Sequence, residues 1–239
     1  MDNKELLVIP DIHGRTFWKE AMLESEECEI VFLGDYLDPY PSEDIGREEA
    51  WNNFLEIVDF KKSHMSNVHL LLGNHDIAYI EPLLRCSRND EMNRARIHEF
   101  FVKNMFLFDM AYETVSGGRR VLISHAGLNR KWLMKYQWLF GGTEVTADAL
   151  NYGLHDEAYQ KSLLLVMSDV SRYRGGMDDA GSMVWADIHE FMDEDCLLPD
   201  TFQIVGHTQQ YEPLWIGKSV VCVDCRTVFR MVHGGKKNE

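Results

Sequence analysis

Five short polar segments carry residue types that can bind metal ions. Each follows a probable strand, and together they are Asp11-Ile12-His13-Gly14, Gly34-Asp35-Tyr36-Leu37-Asp38, Gly73-Asn74-His75-Asp76, Ser124-His125-Ala126-Gly127 and Gly206-His207-Thr208. They supply carboxylate, imidazole and amide oxygen, which are ligand types that suit a pair of divalent metals. A single Asp-x-His is common by chance, but five such segments at five strand ends are not. The sequence therefore predicts metal-dependent hydrolysis.

The spacing within these segments favours two ions held close together. Asp11 and His13 lie two residues apart, so both side chains can point to one side and chelate a single ion. Asp35 could share its oxygens between that ion and a second one, and a bridging carboxylate holds two metals about 3.5–4 Å apart. Neutral ligands are available from the later segments, namely Asn74, His125 and His207. Such ligands leave the cluster positive, which favours phosphate binding.

The elements that must position these residues predict an α/β fold. Short apolar runs at 6–10, 30–33 and 68–72 indicate strands buried on both faces. Residues 48–64 have helical periodicity, and 78–84, 91–110 and 157–167 also read as helices. Further strands are predicted at 112–115, 119–124, 202–205, 219–223 and 227–232. βαβ units therefore come first, and a β-rich half closes the domain.

The length of 239 residues predicts one domain over 1–239. Region 128–199 is rich in aromatic residues and is long for a connection. Two interpretations stay open for it, a cap or substrate-facing insertion and a satellite helical layer.

Composition limits the partners and the compartment. The net charge is −15 and no basic stripe is visible, so we expect no nucleic-acid partner. No run reaches the roughly 18 apolar residues that a membrane helix needs, so no membrane association is expected. The start of the chain lacks the pattern of a signal peptide. Five scattered cysteines, including Cys222 and Cys225, suit a reducing compartment, which predicts a cytoplasmic location.

The ordered motifs resemble those of the calcineurin-like metallophosphoesterases. The set Asp-x-His-Gly, Gly-Asp-x-x-Asp, Gly-Asn-His-Asp, Ser-His-Ala-Gly and Gly-His-Thr is similar to the branch of serine/threonine phosphoprotein phosphatases and symmetrical dinucleoside tetraphosphatases, and it extends from Leu6 to about Asp224. The resemblance implies a four-layer α/β fold, with two stacked mixed β-sheets flanked by α-helices.

The resemblance also assigns roles to individual residues. It implies a first metal on Asp11, His13 and Asp35, and a second on Asp35, Asn74, His125 and His207. It makes His75 the general acid and Asp38 the residue that orients it, while a hydroxide bridging the metals attacks phosphorus. Manganese is the preferred metal, and iron or zinc is the alternative.

Two arginines of the family pattern are missing. Pro39 follows Asp38 and Leu72 precedes Gly73, where the phosphatases have arginines that grip phosphate. The candidates to replace them as substrate-binding residues are Arg15, Arg172 and Arg174. Trp185, in a segment that resembles a Leu-Trp-Ser-Asp motif of this branch, is either a residue lining the site or an ordinary core residue.

Three functions follow in order of preference. The first is a serine/threonine phosphatase-like enzyme acting on a phosphorylated protein or a small phosphate ester. The second is a symmetrical dinucleoside tetraphosphate hydrolase or another phosphodiesterase, since the same motifs serve both and the missing arginines weaken the first. The third is a catalytically weak metal-binding interaction protein. The presence of His75 and Asp38 disfavours it, because a protein that only binds needs no proton donor. The sequence leaves the oligomeric state open.

Overall fold

Two mixed β-sheets of five strands each form the centre of the described part of the chain, residues 5–81, 83–142 and 144–231 of the computed structural model. In the first sheet, β1 (Glu5–Ile9), β2 (Cys28–Phe32), β3 (Val68–Leu71) and β4 (Phe108–Asp109) run parallel, and the edge strand β10 (Phe229–Met231) pairs antiparallel with β1.

The second sheet has the strand order β5-β6-β7-β9-β8. Its members are β5 (Ala111–Ser116), β6 (Arg119–Ser124), β7 (Thr201–Val205), β8 (Leu214–Ile216) and β9 (Val220–Cys222). The central strands β6, β7 and β9 are parallel, while the outer pairs β5–β6 and β8–β9 are antiparallel. Each sheet therefore has a parallel centre whose strands end at one edge.

Helices flank the sheets. The α-helices are α1 (Arg47–Ser63), α2 (Asn74–Ile80), α3 (Arg94–Lys103), α4 (Arg130–Lys135), α5 (Gln137–Phe140), α6 (Ala147–His155) and α7 (Glu157–Val166). Short 3-10 segments lie at Phe17–Glu24, Pro41–Glu43, Met105–Leu107, Arg172–Arg174, Ile188–Met192 and Glu194–Cys196. Within the described ranges, no helix is long and apolar enough to cross a bilayer.

The apolar strands explain the layered packing. Along β1, Leu6 and Val8 belong to the core between the sheets, whereas Leu7 and Ile9 belong to the larger core that includes the flanking helices. The opposing sheet contributes Val121, Ile123, Ile204, Val221 and Val223 to the first of these cores. Burying one such side chain stabilises the fold by about 1.5–3 kcal/mol. The predicted burial of the strands on both faces, and the predicted fold class, are confirmed.

The predicted helix at 91–110 is wrong over its last third. Helix α3 ends at Lys103, and Phe108 and Asp109 form strand β4 beside Leu70 and Leu71 of β3. The helix predicted at 78–84 is right only as far as Ile80. Helix α2 begins earlier, at Asn74 after its N-cap Gly73, and it ends at Ile80, so Glu81, Leu83 and Leu84 are not helical. Strand β8 was not predicted, and Val232, the last residue of the strand predicted at 227–232, lies outside the described residues.

Region 128–199 forms several short helices rather than a long loop. Their buried side chains, among them Trp132, Leu150, Leu154 and Leu163, belong to the same core as helix α1 and the first sheet. The later part of the region turns back, so that Arg174 and Trp185 contact the segment around His207. A packed helical layer and a part facing the polar strand ends are thus both present, and the role of the region as a cap stays a prediction.

Candidate active site

The five polar segments meet at one edge of the two sheets. Asp11 follows β1, Asp35 follows β2 and Asn74 follows β3, all in the first sheet. His125 and His207 follow β6 and β7 in the second sheet. Parallel strands of an open sheet present their carboxyl ends together, and this is where such folds place ligands. Here two sheets contribute such ends to one buried cluster.

The turns after the strands adopt an uncommon backbone conformation. His13, Asp35, Asp38 and His207 have φ values of 44°, 52°, 61° and 66°. Left-handed conformations in residues other than glycine cost about 1–3 kcal/mol each and cluster at functional sites. The turning backbone lets side chains that are close in sequence point into the same space.

Two glycines allow the segments to approach this closely. A Cβ atom on Gly73 would lie against the Asp35 carboxylate, and one on Gly206 would lie against the Asp11 carboxylate. Backbone groups use the same close approach. The N–H of His75 donates to Asp35 Oδ1 at 2.9 Å, and that of His207 donates to Asp11 Oδ1 at 2.9 Å.

Imidazole, amide and carboxylate atoms converge in the cluster. His125 Nε2 lies 3.0 Å from Asn74 Oδ1, 3.1 Å from His207 Nδ1 and 3.7 Å from Asp35 Oδ2. His13 Nε2 lies 3.4 Å from Asp35 Oδ2. Asp35 therefore lies between His13, which follows a strand of the first sheet, and His125, which follows a strand of the second.

Two overlapping groups of these side chains could each hold a metal ion. One comprises Asp11, Asp35, His125 and His207, and the other comprises His13, Asp35 and His75. Asp35 is the member that the two groups share. The sequence grouped Asp11 with His13 and kept His75 as a proton donor, so the division of ligands between the ions stays a prediction.

The hydrogen bonds around the cluster fit a metal site. Nδ1 of His13 donates to the Leu37 carbonyl, and Nδ1 of His125 donates to the Leu33 carbonyl, each at 2.9 Å. These bonds fix the tautomer, so that the unprotonated Nε2 atoms face the carboxylates. His207 turns Nδ1 toward His125 Nε2 at 3.1 Å, while its own Nε2 is buried without a hydrogen-bond partner among the described residues. His13 Nε2, His125 Nε2 and His207 Nδ1 thus face the carboxylate and amide oxygens with few protons between them, which a divalent cation would satisfy.

Burial and neighbouring charges set the protonation of the cluster. Burial lowers the pKa of His13 to about 3 and lowers the pKa of His207 well below its usual range. Burial alone would raise the pKa of Asp35, but the facing His125, His75 and His13 outweigh it and hold that pKa below its ordinary value. Neutral imidazoles and an ionised carboxylate are the forms that ligate metals.

His75 and Asp38 form a buried pair beside the cluster. His75 Nδ1 lies 2.6 Å from Asp38 Oδ2, and the His75 ring is 5.0 Å from the His13 ring. Burial alone would lower the pKa of His75, but the Asp35 and Asp38 carboxylates outweigh it and raise that pKa. Because Nδ1 is bound to Asp38, Nε2 is the ring atom that can face a substrate.

Sequence reasoning missed the residues that hold this arrangement in place. The Asp76 carboxylate accepts from the backbone N–H groups of Gly73, Asp35 and Tyr36 at 2.8, 2.7 and 3.2 Å. Its position three residues after a helix N-cap is a capping signature that could have revealed it. The hydroxyl of Tyr79 and the amide of Asn89 donate to Asp38. No sequence signal links either residue to Asp38.

The predicted substrate-binding arginines lie in different settings. Arg15 donates to both carboxylate oxygens of Glu43 and to the Asp11 carbonyl, so its charge is already balanced. Arg172 is 73% exposed and pairs with Asp179 at 3.0 Å. Their roles in substrate binding stay predictions.

Arg174 lies nearer to the cluster than Arg172 does. Its Nη2 donates to the His207 carbonyl at 3.0 Å and to Thr208 Oγ1 at 2.7 Å, while Asp187 balances its charge at 3.0 Å. The Trp185 ring stands edge-on to the His207 ring, 5.6 Å away. Arg174 and Trp185 therefore border the cluster, but Nη2 of Arg174 donates to protein groups.

Comparison with known proteins decides the family. A family model described as calcineurin-like phosphoesterase matches residues 5–211. The chain belongs to this family. This calcineurin-like phosphoesterase is a metal-dependent enzyme, as the motifs predicted, whereas the identity of the metal remains a prediction. No curated protein matches the sequence.

Solved structures with a similar fold include two kinds of phosphatase. A cold-active protein-tyrosine phosphatase of a psychrophilic Shewanella species is 17% identical, with a TM-score of 0.56 over 94% of this chain and 73% of that one. A protein serine/threonine phosphatase from Saccharomyces cerevisiae is 14% identical, with a TM-score of 0.53 over 92% of this phosphoesterase and 67% of that chain. At these identities the likeness shows a shared fold.

Proposed function

We propose that this phosphoesterase is a phosphatase that hydrolyses phosphate monoesters, with phosphoserine and phosphothreonine on proteins as the preferred substrates. One observation carries the proposal. The His75–Asp38 pair, with 2.6 Å between Nδ1 and Oδ2, lies beside a carboxylate and imidazole cluster in which Asp35 Oδ2 has His13 Nε2 at 3.4 Å and His125 Nε2 at 3.7 Å. A proton donor next to two metals is what ester hydrolysis requires.

The metal ligands in this proposal are Asp11, His13 and Asp35 for one ion, and Asp35, Asn74, His125 and His207 for the other. When bound, two divalent ions supply a water of lowered pKa and neutralise charge on the phosphoryl group. We propose manganese as the preferred metal, with iron or zinc as alternatives that the same mixed donors suit.

The protein's own groups perform the proton transfer. His75 donates a proton from Nε2 to the oxygen of the leaving alcohol as the ester bond breaks. Asp38 holds Nδ1 protonated and orients the ring, while Tyr79 and Asn89 hold the Asp38 carboxylate. Burial of Asp38, which is 2% exposed, strengthens these hydrogen bonds by keeping water away.

Several substrates compete within the same chemistry. The Saccharomyces neighbour is named a serine/threonine phosphatase and the Shewanella neighbour a tyrosine phosphatase. A symmetrical dinucleoside tetraphosphate is the second candidate, because Pro39 and Leu72 stand where the protein phosphatases have phosphate-gripping arginines.

The test compares these substrates on one enzyme preparation. Purified protein reconstituted with Mn²⁺, and separately with Fe²⁺ or Zn²⁺, is assayed on peptides carrying phosphoserine, phosphothreonine or phosphotyrosine and on diadenosine tetraphosphate. We expect release of inorganic phosphate from the phosphoserine and phosphothreonine peptides. Turnover of the phosphotyrosine peptide alone would change the preferred substrate to phosphotyrosine. Cleavage of the dinucleotide alone would overturn the proposal that the enzyme hydrolyses monoesters.

A further inference from the structure

The family's phosphate-gripping arginines are missing from the second and third motifs, but another arginine reaches the proton-transfer pair. Arg88 belongs to the connection between α2 and α3, and its Nη2 lies 3.3 Å from His75 Nε2. Its Nε donates to the Asp38 carbonyl at 3.2 Å. This cation therefore lies at the one ring nitrogen of His75 that can face a substrate.

The guanidinium of Arg88 is held in a defined position. Its central carbon lies 3.9 Å from the centroid of the Tyr40 ring, a stacking distance for a cation over an aromatic face. The backbone of Arg88 is left-handed, with φ of 65°. The next residue, Asn89, is tied to Asp38 Oδ2 at 2.7 Å and to the backbone N–H of Cys86 at 2.8 Å. The loop is thus anchored to Asp38, the residue that orients His75.

The charge of Arg88 is not balanced by a protein carboxylate. Arg15, Arg172 and Arg174 pair with Glu43, Asp179 and Asp187 respectively. For Arg88, residues 5–81, 83–142 and 144–231 provide no ion pair within 4.0 Å. Within these ranges, the three nitrogens of Arg88 contact only uncharged groups, namely the Asp38 carbonyl, Ser87 Oγ and His75 Nε2. These contacts leave the half-buried guanidinium with an unbalanced charge and with further N–H hydrogens that an anion could accept.

The contact with His75 places a donor of Arg88 at the proton-transfer atom. Because Nδ1 of His75 is bound to Asp38, Nε2 is the ring atom that can accept from Arg88 Nη2, at 3.3 Å. A substrate oxygen that reaches Nε2 therefore also comes within reach of the guanidinium. A phosphate ester carries further oxygens beside that one, and a guanidinium binds phosphate oxygens well.

Arg88 is also reachable from solvent. It lines a cavity of about 370 Å³ whose other lining residues are Pro39, Tyr40, Pro41, Asp44, Ile45, Gly46 and Arg47. Pro39 stands where the second-motif arginine of the phosphatases is expected. Pro39 and Arg88 line the same cavity, so Arg88 lies near the position of the missing arginine.

We propose that Arg88 binds the phosphoryl group of the substrate. It would do the work of the two family arginines whose positions are occupied by Pro39 and Leu72 in this chain. The proposal rests on the proposed function for the identity of the substrate. Phosphate binding by Arg88 can nevertheless be measured without turnover.

The experiment compares Arg88→Ala and Arg88→Lys with the wild-type protein, all loaded with Mn²⁺. The affinity for inorganic phosphate is measured by calorimetry, and KM and kcat are measured on 4-nitrophenyl phosphate and on the phosphopeptides. A lost hydrogen bond to a charged group weakens binding by about 10-fold to 100-fold. We expect Arg88→Ala to raise the phosphate Kd and the KM together by that factor, with a smaller change in kcat.

Arg88→Lys keeps the charge but loses the planar fork, so its phosphate Kd should lie between those of wild type and Arg88→Ala. The matched control is Arg96→Ala, which removes an exposed arginine paired with Glu48 and should leave Kd and KM unchanged. Melting temperature and metal content are recorded for every variant. If Arg88→Ala does not fold, Arg88→Gln and Arg88→Lys provide the comparison.

The outcomes separate the two proposals. If wild type turns over monoesters but Arg88→Ala binds phosphate as tightly as wild type, Arg88 has no phosphate role and the proposed function stands. A purely structural role would lower the melting temperature and kcat while leaving the phosphate Kd unchanged. If wild type binds phosphate through Arg88 but hydrolyses no monoester, the proposed function fails and the Arg88 assignment stands. A wild type that does neither overturns both.

Discussion

The predicted metal ligands lie directly after sheet strands, whereas the arginines around them lie on connections between elements. We call the first set the ligand edge, and it comprises Asp11, His13, Asp35, Asn74, His125 and His207. The arginine rim comprises Arg15, Arg88, Arg172 and Arg174. Each residue of the ligand edge is at most 9% exposed, whereas the rim extends from Arg15, which is 9% exposed, to Arg172, whose side chain is 73% exposed.

The two regions differ because their tasks require different precision. Metal ligation needs several atoms held close together around one point, and strand ends anchored by two sheets provide that. A phosphate is gripped by long side chains that can approach from several directions, so the supporting backbone can vary. Arg88 reaches the site from a loop that no motif of the ligand edge includes. Under the proposal for Arg88, metal binding and phosphate binding would be specified by separate parts of this protein.

The largest effect should follow from removing the residue shared by both potential metal groups. We expect Asp35→Ala to lose both ions together and to reduce turnover to background, because Asp35 is the member common to the two groups. Metal content per chain, measured by mass spectrometry, checks this. Asp59→Ala removes an exposed carboxylate and should retain both ions. One ion kept at full occupancy by Asp35→Ala would contradict the bridging assignment.

A smaller effect should separate proton transfer from metal binding. We expect His75→Asn to lower kcat by about 10²-fold to 10⁴-fold, the contribution of a positioned general acid, while both ions stay bound. The loss should be smaller on 4-nitrophenyl phosphate, whose leaving group needs less protonation. His155→Asn, a change at a surface histidine beside Asp109, should leave kcat unchanged. Normal phosphopeptide turnover by His75→Asn would remove His75 from its role.

The smallest effect should come from a residue that supports the Asp38 carboxylate. Tyr79→Phe removes a hydroxyl that donates to Asp38 and accepts from the backbone N–H of Asp90. We expect a loss of about 1–3 kcal/mol in the free energy of unfolding, and a several-fold lower kcat. Denaturant unfolding and steady-state kinetics measure the two effects.

Tyr36→Phe is the matched control for Tyr79→Phe. It removes another buried hydroxyl, which donates to the Leu71 carbonyl at 2.8 Å and does not contact Asp38. It should therefore lower the free energy of unfolding without lowering kcat. If both variants kept the wild-type kcat, Tyr79 would contribute to the stability of the fold but not to proton transfer.

Much of the fold was predictable because its signals are local. The apolar runs that form β1, β2 and β3, the periodic helix α1 and the β5–β6 hairpin were all recognised from residue patterns. Strand β4 was missed because it has only two residues, and its conformation depends on pairing with β3, about forty residues earlier in the chain. The helical packing of region 128–199 likewise depends on contacts with distant core residues.

By itself, the sequence determined an α/β fold and the list of candidate ligands, because each motif is a short run at the end of an apolar strand. The resemblance of the ordered motifs added the family and the layered arrangement of the sheets. Only the tertiary structure decided which side chains meet. It brought His125 within 3.1 Å of His207 across 82 residues, and Arg88 within 3.3 Å of His75 beside a ring contributed by Tyr40. The physical reason is that a strand end follows from local pattern, whereas the neighbours of a loop arginine follow only from how the whole chain packs.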